Sequence, residues 1–190
     1  MEGALANSAH GERFERLMLP HLDAAYNLAF WLTRNEDQAR DAVQEAFLRA
    51  LRFFGSFHGA DGRPWLLKIA RNACYELLER ERAGGAAEEM DEQLHTPDSV
   101  APGAVLVFPV NPETAAIERA DRDLVRQCLR TLPQDYREAV ILRELHGCSY
   151  REIAVICGVP MGTVMSRLAR GRRLLQFRII DQTKRKDTGT

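Results

Sequence analysis

Apolar residues recur at helical spacing along two separate stretches of the chain. Over residues 35–54 they form one continuous face, made of Ala39, Ala42, Val43, Ala46, Phe47, Ala50, Leu51 and Phe54. Asn35 followed by Gln38 resembles a capping box, so we expect the helix to start there. The same spacing predicts a second helix over residues 64–82, with an inward face made of Leu66, Ile69, Ala70, Ala73, Leu77 and Leu78.

The C-terminal stretch predicts a helix-turn-helix. Ser149 and Glu152 form a second capping box, and Gly158 with Pro160 ends the short helix that starts there. A new helix is predicted from Met161 to Leu175 or beyond. Two helices joined by a tight turn containing glycine are typical of this motif.

Between the two helical blocks, residues 83–111 are rich in proline and glycine and carry an acidic cluster. This composition disfavours helix and predicts a flexible linker. Strand-like alternation is almost absent. We therefore expect an all-α fold of two small helical domains, residues 13–82 and 112–182, joined by this linker.

The predicted last helix has two distinct faces. Val164, Leu168 and Leu175 would pack on the domain. The other side carries hydroxyl and guanidinium groups, from Thr163, Ser166, Arg167, Arg170 and Arg173. Such groups reach base edges and phosphates when a recognition helix enters the major groove of DNA.

Two features of the first block have both a plain and a functional interpretation. The face of the helix opposite its apolar side is polar but includes Leu48, so it is either solvated or a docking face for a protein. The loop at residues 53–59 has three phenylalanines, and Trp65 and nearby cations follow it. This pattern indicates either a small hydrophobic core or a surface for single-stranded nucleic acid.

Charge is segregated along a chain whose net charge is only -1 over 190 residues. Residues 88–123 contain nine acids and two bases, whereas residues 161–186 contain eight bases and one acid. This distribution favours a basic surface for nucleic acid near the C-terminus. The overall composition is that of a globular protein, which excludes a disordered or collagen-like chain.

Motifs of enzymes, metal sites and membrane spans are missing from the sequence. The four cysteines lack zinc-site spacing and are expected to be reduced core thiols, and the five histidines are scattered. No phosphate-binding loop or nucleophile elbow is present, so we expect no catalytic residue, cofactor or metal. No apolar run approaches the length of a membrane span, and the N-terminus does not resemble a secretory signal, so a cytoplasmic location is expected.

Taken together, these segments resemble the bacterial sigma factors, and among them the short extracytoplasmic-function (ECF) group. The resemblance covers residues 13–175 apart from the linker. Its most specific parts are Leu132-Pro133, Tyr136-Arg137, residues 147–154 and 160–168, and, in the first block, residues 41–47, Trp65-Leu66 and 69–72. Both blocks occur in the order that the family has, which a generic helix-turn-helix protein would not show.

The resemblance implies an alternative sigma factor that binds core RNA polymerase, directs it to a promoter and helps to open the DNA. The first block would be the family's region 2. Its docking face on the clamp coiled coil of the largest polymerase subunit would comprise Asp41, Gln44, Glu45 and Leu48. Its readers of the minus-ten element, where a flipped base is held, would be Arg63, Trp65, Lys68, Arg71 and Asn72; Trp65 is alternatively a core residue supporting the loop.

The second block would be region 4, which reads the minus-thirty-five element. The resemblance implies DNA contacts from Ser166, Arg167 and Arg170, with Thr163 and Arg173 on phosphates. It also implies contact with the flap of the second polymerase subunit, and an anti-sigma factor that masks the polymerase-binding faces.

Two departures from the family leave questions open. Met165 stands where the family commonly has Arg or Lys, so the promoter sequence does not carry over. The acidic linker either mimics nucleic acid near the RNA path or is a solvated tether. The alternative functions are a DNA-binding regulator that acts without polymerase and an adaptor that binds polymerase or an anti-sigma factor.

Overall fold

The structure, a computed structural model, describes residues 2–84 and 115–188, with side chains for residues 10–83 and 122–185. Within these ranges all regular structure is helical, which confirms the all-α prediction. The chain divides into two compact units, one made largely of the residues before the central segment and one made largely of those after it. The predicted linker lies outside the described residues from position 85 onward, and the proposed domain limits stay predictions.

The N-terminal unit contains four helices joined by short loops and 3₁₀ turns. They are α1 (Glu2–Met18), α2 (Leu22–Thr33), α3 (Glu36–Phe53) and α4 (Arg63–Gly84). The C-terminal unit contains α5 (Ala115–Arg130), α6 (Gln134–Val140) continued by a π-helical segment (Ile141–Leu145), α7 (Tyr150–Cys157) and α8 (Met161–Thr188).

Helix α3 packs against both α2 and α4, which also contact each other, through a face of small side chains. Its buried residues are Ala39, Ala42, Val43, Ala46 and Ala50. Alanine favours the helix and allows neighbouring helices to approach closely. The predicted face was too wide, because Leu51 is 49% exposed and Phe47 is only half-buried.

In α4 the predicted face was too narrow and shifted. Leu66, Ala70 and Ala73 are buried as expected, but Ile69, Leu77 and Leu78 are only half-buried. Leu67 and Cys74, which the predicted face omitted, are fully buried. All four cysteines are buried and unbridged, as predicted.

The start of α3 shows only half of the predicted capping box. The Asn35 side-chain oxygen accepts hydrogen bonds from the backbone N–H groups of Asp37 (2.9 Å) and Gln38 (3.1 Å). The Gln38 side chain does not return this contact. Its amide donates instead to the Glu81 carboxylate on α4, at 2.6 Å. A tertiary contact has thus replaced the local one.

A charged clamp joins α3 to α4 farther along. The Arg49 guanidinium donates to both carboxylate oxygens of Glu76, at 2.8 and 2.7 Å, and to Glu45 at 2.6 Å. The hydrogen bonds that Arg49 donates to the Glu76 carboxylate lower the pKa of Glu76 and raise the pKa of Arg49. Bidentate pairs of this kind are stronger and more directional than single contacts.

In the C-terminal unit, α8 packs on α6 and α5. Gly171 is buried at the contact with α6, where a Cβ would lie 2.8 Å from Val140 Cγ2 and 3.1 Å from the Tyr136 carbonyl oxygen. The buried Arg137 guanidinium donates to the carbonyls of Arg130 (3.3 Å) and Leu132 (3.4 Å). It therefore caps the end of α5, whose last carbonyls lack helical partners.

In the described part of the chain, side-chain groups that could bind a metal and helices that could span a membrane can both be assessed. No group of three or more His, Cys, Asp or Glu side chains there is arranged to hold a metal. No single described helix is long and apolar enough to cross a membrane, and one bent pair, Tyr150–Cys157 with Met161–Arg185, meets that test only when the two are taken together.

Replacing Gly171 with Ala is expected to destabilise the C-terminal unit by about 1–3 kcal/mol, because the added methyl group meets the backbone of α6. Gly162→Ala is the matched control in the same helix, where a Cβ meets nothing within 4 Å. It should be neutral or stabilising by up to about 1 kcal/mol. Hydrogen exchange of the α6 and α8 amides measures both; equal effects of the two changes would contradict this account.

The clamp between Arg49 and Glu76 predicts a pH-dependent coupling. Because the folded-state pKa of Glu76 lies below its ordinary value, the pair stabilises the fold above that value, and the gain is lost as the pH falls through the lowered pKa. A double-mutant cycle with Arg49→Met and Glu76→Gln should give a coupling near neutral pH of only about 1 kcal/mol, since Glu76 is 44% exposed. Urea unfolding should show this coupling shrinking below about pH 4; a constant coupling would contradict it.

Candidate protein and nucleic-acid interfaces

The outer face of α3 presents a mixed acidic and apolar surface. The side chains of Asp41, Gln44 and Glu45 are exposed, and Leu48 is 57% exposed beside them. The structure therefore brings the four residues of the predicted docking face together. Leu51 extends the apolar part of this face, and sequence reasoning missed it because its spacing also fits the buried side.

The aromatic loop after α3 is mostly a small core. Phe54 is fully buried and Phe57 nearly so, with their rings stacked at 5.9 Å. Phe14 of α1 meets Phe54 edge-on at 5.2 Å. The hydrophobic-core interpretation is therefore correct for two of the three phenylalanines. Phe53 differs, since it is 56% exposed.

Trp65 lies in the first turn of α4, and sequence analysis left open whether it faces DNA or belongs to the core that supports the loop. It is half-buried, and its ring lies 4.9 Å from that of Phe57. The ring thus supports the loop on one side and remains accessible on the other. Lys68 and Asn72 follow at i+3 and i+7 and are exposed, so these three residues share one side of α4.

The other two predicted minus-ten residues lie close by. Arg71 is half-buried, with its guanidinium 4.3 Å from the centre of the Tyr75 ring. This contact keeps the cation beside the exposed side of α4. Arg63 begins α4, and its backbone N–H donates to the Asp61 carboxylate at 2.9 Å. Asp61 therefore serves as a cap at this end of the helix.

The helix-turn-helix forms as predicted. Ser149 accepts from the Glu152 N–H at 3.2 Å, and the Glu152 carboxylate accepts from the Ser149 N–H at 2.6 Å. Gly158 ends α7 with a positive φ of 66°, a conformation that costs glycine little. The axes of the two helices bend by 102° across this turn, within the range typical of the motif.

Helix α8 separates its buried and exposed sides over its first three turns. Val164 and Leu168 are buried against the unit as predicted, Gly171 is buried beside them, and Leu175, which was also predicted to pack there, is only half-buried. On the outer side Ser166, Arg170 and Arg173 are exposed, whereas Thr163 is half-buried at the edge. Gly162 and Ala169 are also exposed. Met165 is also exposed.

Arg167 is the predicted DNA-contacting residue whose placement differs most from expectation. Its guanidinium donates to the Asp135 carboxylate of α6 at 2.6 Å, and its side chain is only 18% exposed. The pair ties α8 to α6. Arg172 makes a similar tie to Glu144, at 2.6 and 2.9 Å, which raises the pKa of Arg172. Neither partner is visible in helical spacing, because each lies about thirty positions away.

The two units match two parts of one protein family. Residues 17–84 match the family Sigma-70 region 2, and residues 122–175 match the family Sigma-70, region 4. The chain is 36% identical over 140 residues to the ECF RNA polymerase sigma-E factor of Escherichia coli strain K12, a match covering 73% of this chain and 72% of that protein. It is 32% identical over 174 residues to the ECF RNA polymerase sigma factor SigE of Mycolicibacterium smegmatis, covering 91% and 64%.

Solved structures share the fold. The sigma factor RpoE, crystallised with the anti-sigma factor NepR from Bartonella quintana, is similar with a TM-score of 0.69 and 28% identity, over 88% of this chain and 97% of that one. CnrH in complex with the cytosolic domain of CnrY has a TM-score of 0.62 at 23% identity, over 94% of both chains, and supports the fold alone.

Both helical units therefore have counterparts in the same family, in the same order. A region-2 unit with an exposed acidic and apolar helix precedes a region-4 unit with a helix-turn-helix, and the sigma-E match extends over most of the chain. The chain belongs to the ECF sigma factors, the alternative sigma factors that direct RNA polymerase to initiate transcription at specific promoters.

Proposed function

We propose that the two units divide promoter recognition between them, with α3 docking on core polymerase, the loop and α4 engaging the minus-ten element, and α8 reading the minus-thirty-five element. The observation that carries this proposal is α8, whose buried stripe fixes it to the unit while Ser166, Arg170 and Arg173 are exposed along the opposite side. This factor would act without chemistry of its own and in the cytoplasm, where polymerase and promoters are found.

Docking on polymerase is supported by the composition of the α3 face. An exposed leucine beside two acids suits a partner with an apolar pocket and basic rim. Burying Leu48 would contribute about 1.5–3 kcal/mol, and the acids would speed and orient the encounter. We assign this face to the clamp coiled coil of the largest subunit, and the C-terminal unit to the flap of the second.

Opening of the minus-ten element requires a base to leave the duplex stack, which costs a few kcal/mol. Stacking on an aromatic ring returns about 1–3 kcal/mol per base. Trp65 offers an accessible ring, and Phe53 is a second exposed aromatic at the same loop. Nearby are side chains of the kinds that bind phosphates and base edges, from Arg63, Lys68, Arg71 and Asn72.

In the second unit, Arg170 is the best-placed side chain for base reading. It is exposed, and the structure gives it no ion-pair partner among the described residues. A guanidinium binds the O6 and N7 atoms of guanine through two hydrogen bonds. Ser166 is exposed beside it, while Thr163 and Arg173 are assigned to phosphates. Arg167 would join them only by leaving Asp135.

Regulation by an anti-sigma factor is part of the proposal. The RpoE and CnrH structures contain, respectively, an anti-sigma factor and a cytosolic domain bound to a chain of this fold. A partner covering the exposed α3 face would bury Leu48 and Leu51 and block docking on polymerase. Such a partner would silence the factor without touching its DNA-reading residues.

The direct test is run-off transcription with purified core polymerase on a genomic fragment library. With this protein added, new transcripts sharing two upstream motifs are expected. Leu48→Asp should abolish them and reduce polymerase capture at least about tenfold, because it buries a charge in the apolar contact. Arg40→Ala, on the same helix and paired with Glu36 and Asp37, is the control. Wild-type binding to promoter DNA alone, with no polymerase dependence, would favour the plain regulator.

Arg170→Ala should weaken binding to the cognate minus-thirty-five duplex by about 1–3 kcal/mol and relax the base preference at one position. Arg173→Ala is the comparison, since loss of a phosphate contact weakens all sequences alike and reduces the salt dependence.

Arg167→Ala should cost fold stability more than DNA affinity, because it breaks the tie to Asp135. Titrations on matched and substituted duplexes, with melting curves, separate these outcomes; a uniform loss for Arg170→Ala would reassign it to phosphate.

A further inference from the structure

We propose that Arg13 of α1 is a positioning residue for promoter opening, which fastens the aromatic loop so that Trp65 and Phe53 are presented to the unpaired strand. The inference rests on the proposed minus-ten role of this loop. It assigns a function to α1, which the comparison with region 2 matches only from residue 17 onward.

The contact itself is specific. The Arg13 Nη2 donates to the backbone carbonyl of Phe57 at 3.2 Å, and its guanidinium carbon lies 5.1 Å from the centre of the Phe54 ring. Phe57 is where the short 3₁₀ turn ends and the chain becomes extended, with φ -84° and ψ 112°. Arg13 thus satisfies a carbonyl at the point where regular hydrogen bonding stops.

The loop's other contacts lie at its exposed positions: the Ser56 hydroxyl donates to the Phe53 carbonyl at 2.7 Å, and the Asp61 carboxylate lies 3.8 Å from His21 Nε2. Ser56, His58, Ala60 and Asp61 are exposed, so the two buried phenylalanines and Gly62 are the main packing anchors of this stretch. Gly62 lies against α1 so closely that a Cβ would come within 2.6 Å of the Leu17 carbonyl oxygen. A segment with so few buried contacts opens locally at low cost, and each anchor therefore has a large share in its order.

The two buried phenylalanines that anchor the loop also adjoin the side chains that we propose to face DNA. Phe57, whose carbonyl Arg13 binds, packs on Trp65 at 4.9 Å. Phe54, under the Arg13 guanidinium, directly follows the exposed Phe53 in the chain. Loosening the loop would widen the range of positions of both rings. Capture of a flipped base depends on a preformed place for it, so the loss would fall on opening rather than on duplex binding.

The experiment uses the full chain with core polymerase on one cognate promoter. Arg13→Met keeps the aliphatic stem over Phe54 and removes the hydrogen bond. Arg16→Met is the matched control, because Arg16 is exposed on the same helix one turn later. Permanganate reactivity of unpaired thymines reports opening, and duplex binding by polymerase is measured beside it. We expect Arg13→Met to open the promoter about tenfold more slowly, because it loses one charge-assisted hydrogen bond. Arg16→Met should open it at the wild-type rate.

A promoter already unpaired over the minus-ten element separates positioning from mere stability. On this template, formation of the polymerase–promoter complex with Arg13→Met should come within about twofold of wild type, since the cost of breaking the base pairs is removed. Arg13→Lys should restore part of the opening rate on the duplex, because it keeps a donor and a charge. Failure of the unpaired template to rescue Arg13→Met, or opening equal to wild type on the duplex, would overturn the proposal.

Trp65→Ala is the arm that tests the underlying function. If Trp65→Ala opens the duplex promoter normally, the minus-ten role of the loop fails, and the inference about Arg13 fails with it. If Trp65→Ala is defective and Arg13→Met is not, only the inference about Arg13 is overturned. Thermal melting of each variant checks folding, and a lowered melting temperature with equal loss on both templates would mark Arg13 as purely structural.

Discussion

Both helices that we propose to face partners are fixed to their units by a narrow buried stripe, and the rest of the structure depends on this constraint. Helix α3 buries alanines at positions 39, 42, 46 and 50, and α8 places Gly171 where a methyl group would meet the backbone of α6. A narrow stripe lets neighbouring helices approach closely while most of the circumference stays exposed. The exposed remainder is what the factor has available for polymerase and DNA.

A narrow stripe leaves the rotation of a helix about its axis less constrained than a broad one, and arginine contacts to carboxylates on neighbouring elements add a restraint. Arg49 joins α3 to Glu76 of α4, and in the other unit Arg172 and Arg167 join α8 to Glu144 and Asp135. Each pair flanks a buried stripe, where a directional bond resists rolling more than its free energy suggests. The same logic separates the arginines of α8 into those that orient the helix and those that are exposed to a partner.

Local signals were sufficient to predict much of the fold from sequence. The capping box of α7 and the exposed polar side of α3 depend on closely spaced residues and appear as expected, and the two faces of α8 appear except at Leu175 and Arg167. Contacts between distant positions were not predictable in this way. The Gln38 amide donates to Glu81 instead of closing the capping box, and the Arg167 guanidinium donates to Asp135. Spacing did separate the buried Phe54 from the exposed Phe53, since the predicted apolar face of α3 included the first and not the second. The function itself came from the resemblance, because no periodicity distinguishes a sigma factor from another helix-turn-helix protein.

On the proposed division of promoter recognition, the cations of α8 differ in how free they are to meet DNA. Met165 is exposed and uncharged, Arg167 and Arg172 are engaged with carboxylates, and Arg170 and Arg173 are exposed within the first four turns. If only these two guanidiniums met the DNA, few counterions would be released, and binding by the isolated unit would be weak and only mildly dependent on salt. In the proposed complex, polymerase would hold both DNA-reading units at high effective concentration over one promoter, so neither unit would need tight binding of its own. Weak binding by each unit would then be an advantage, since neither would retain the factor on DNA without polymerase, and a promoter would be selected only where both elements fit.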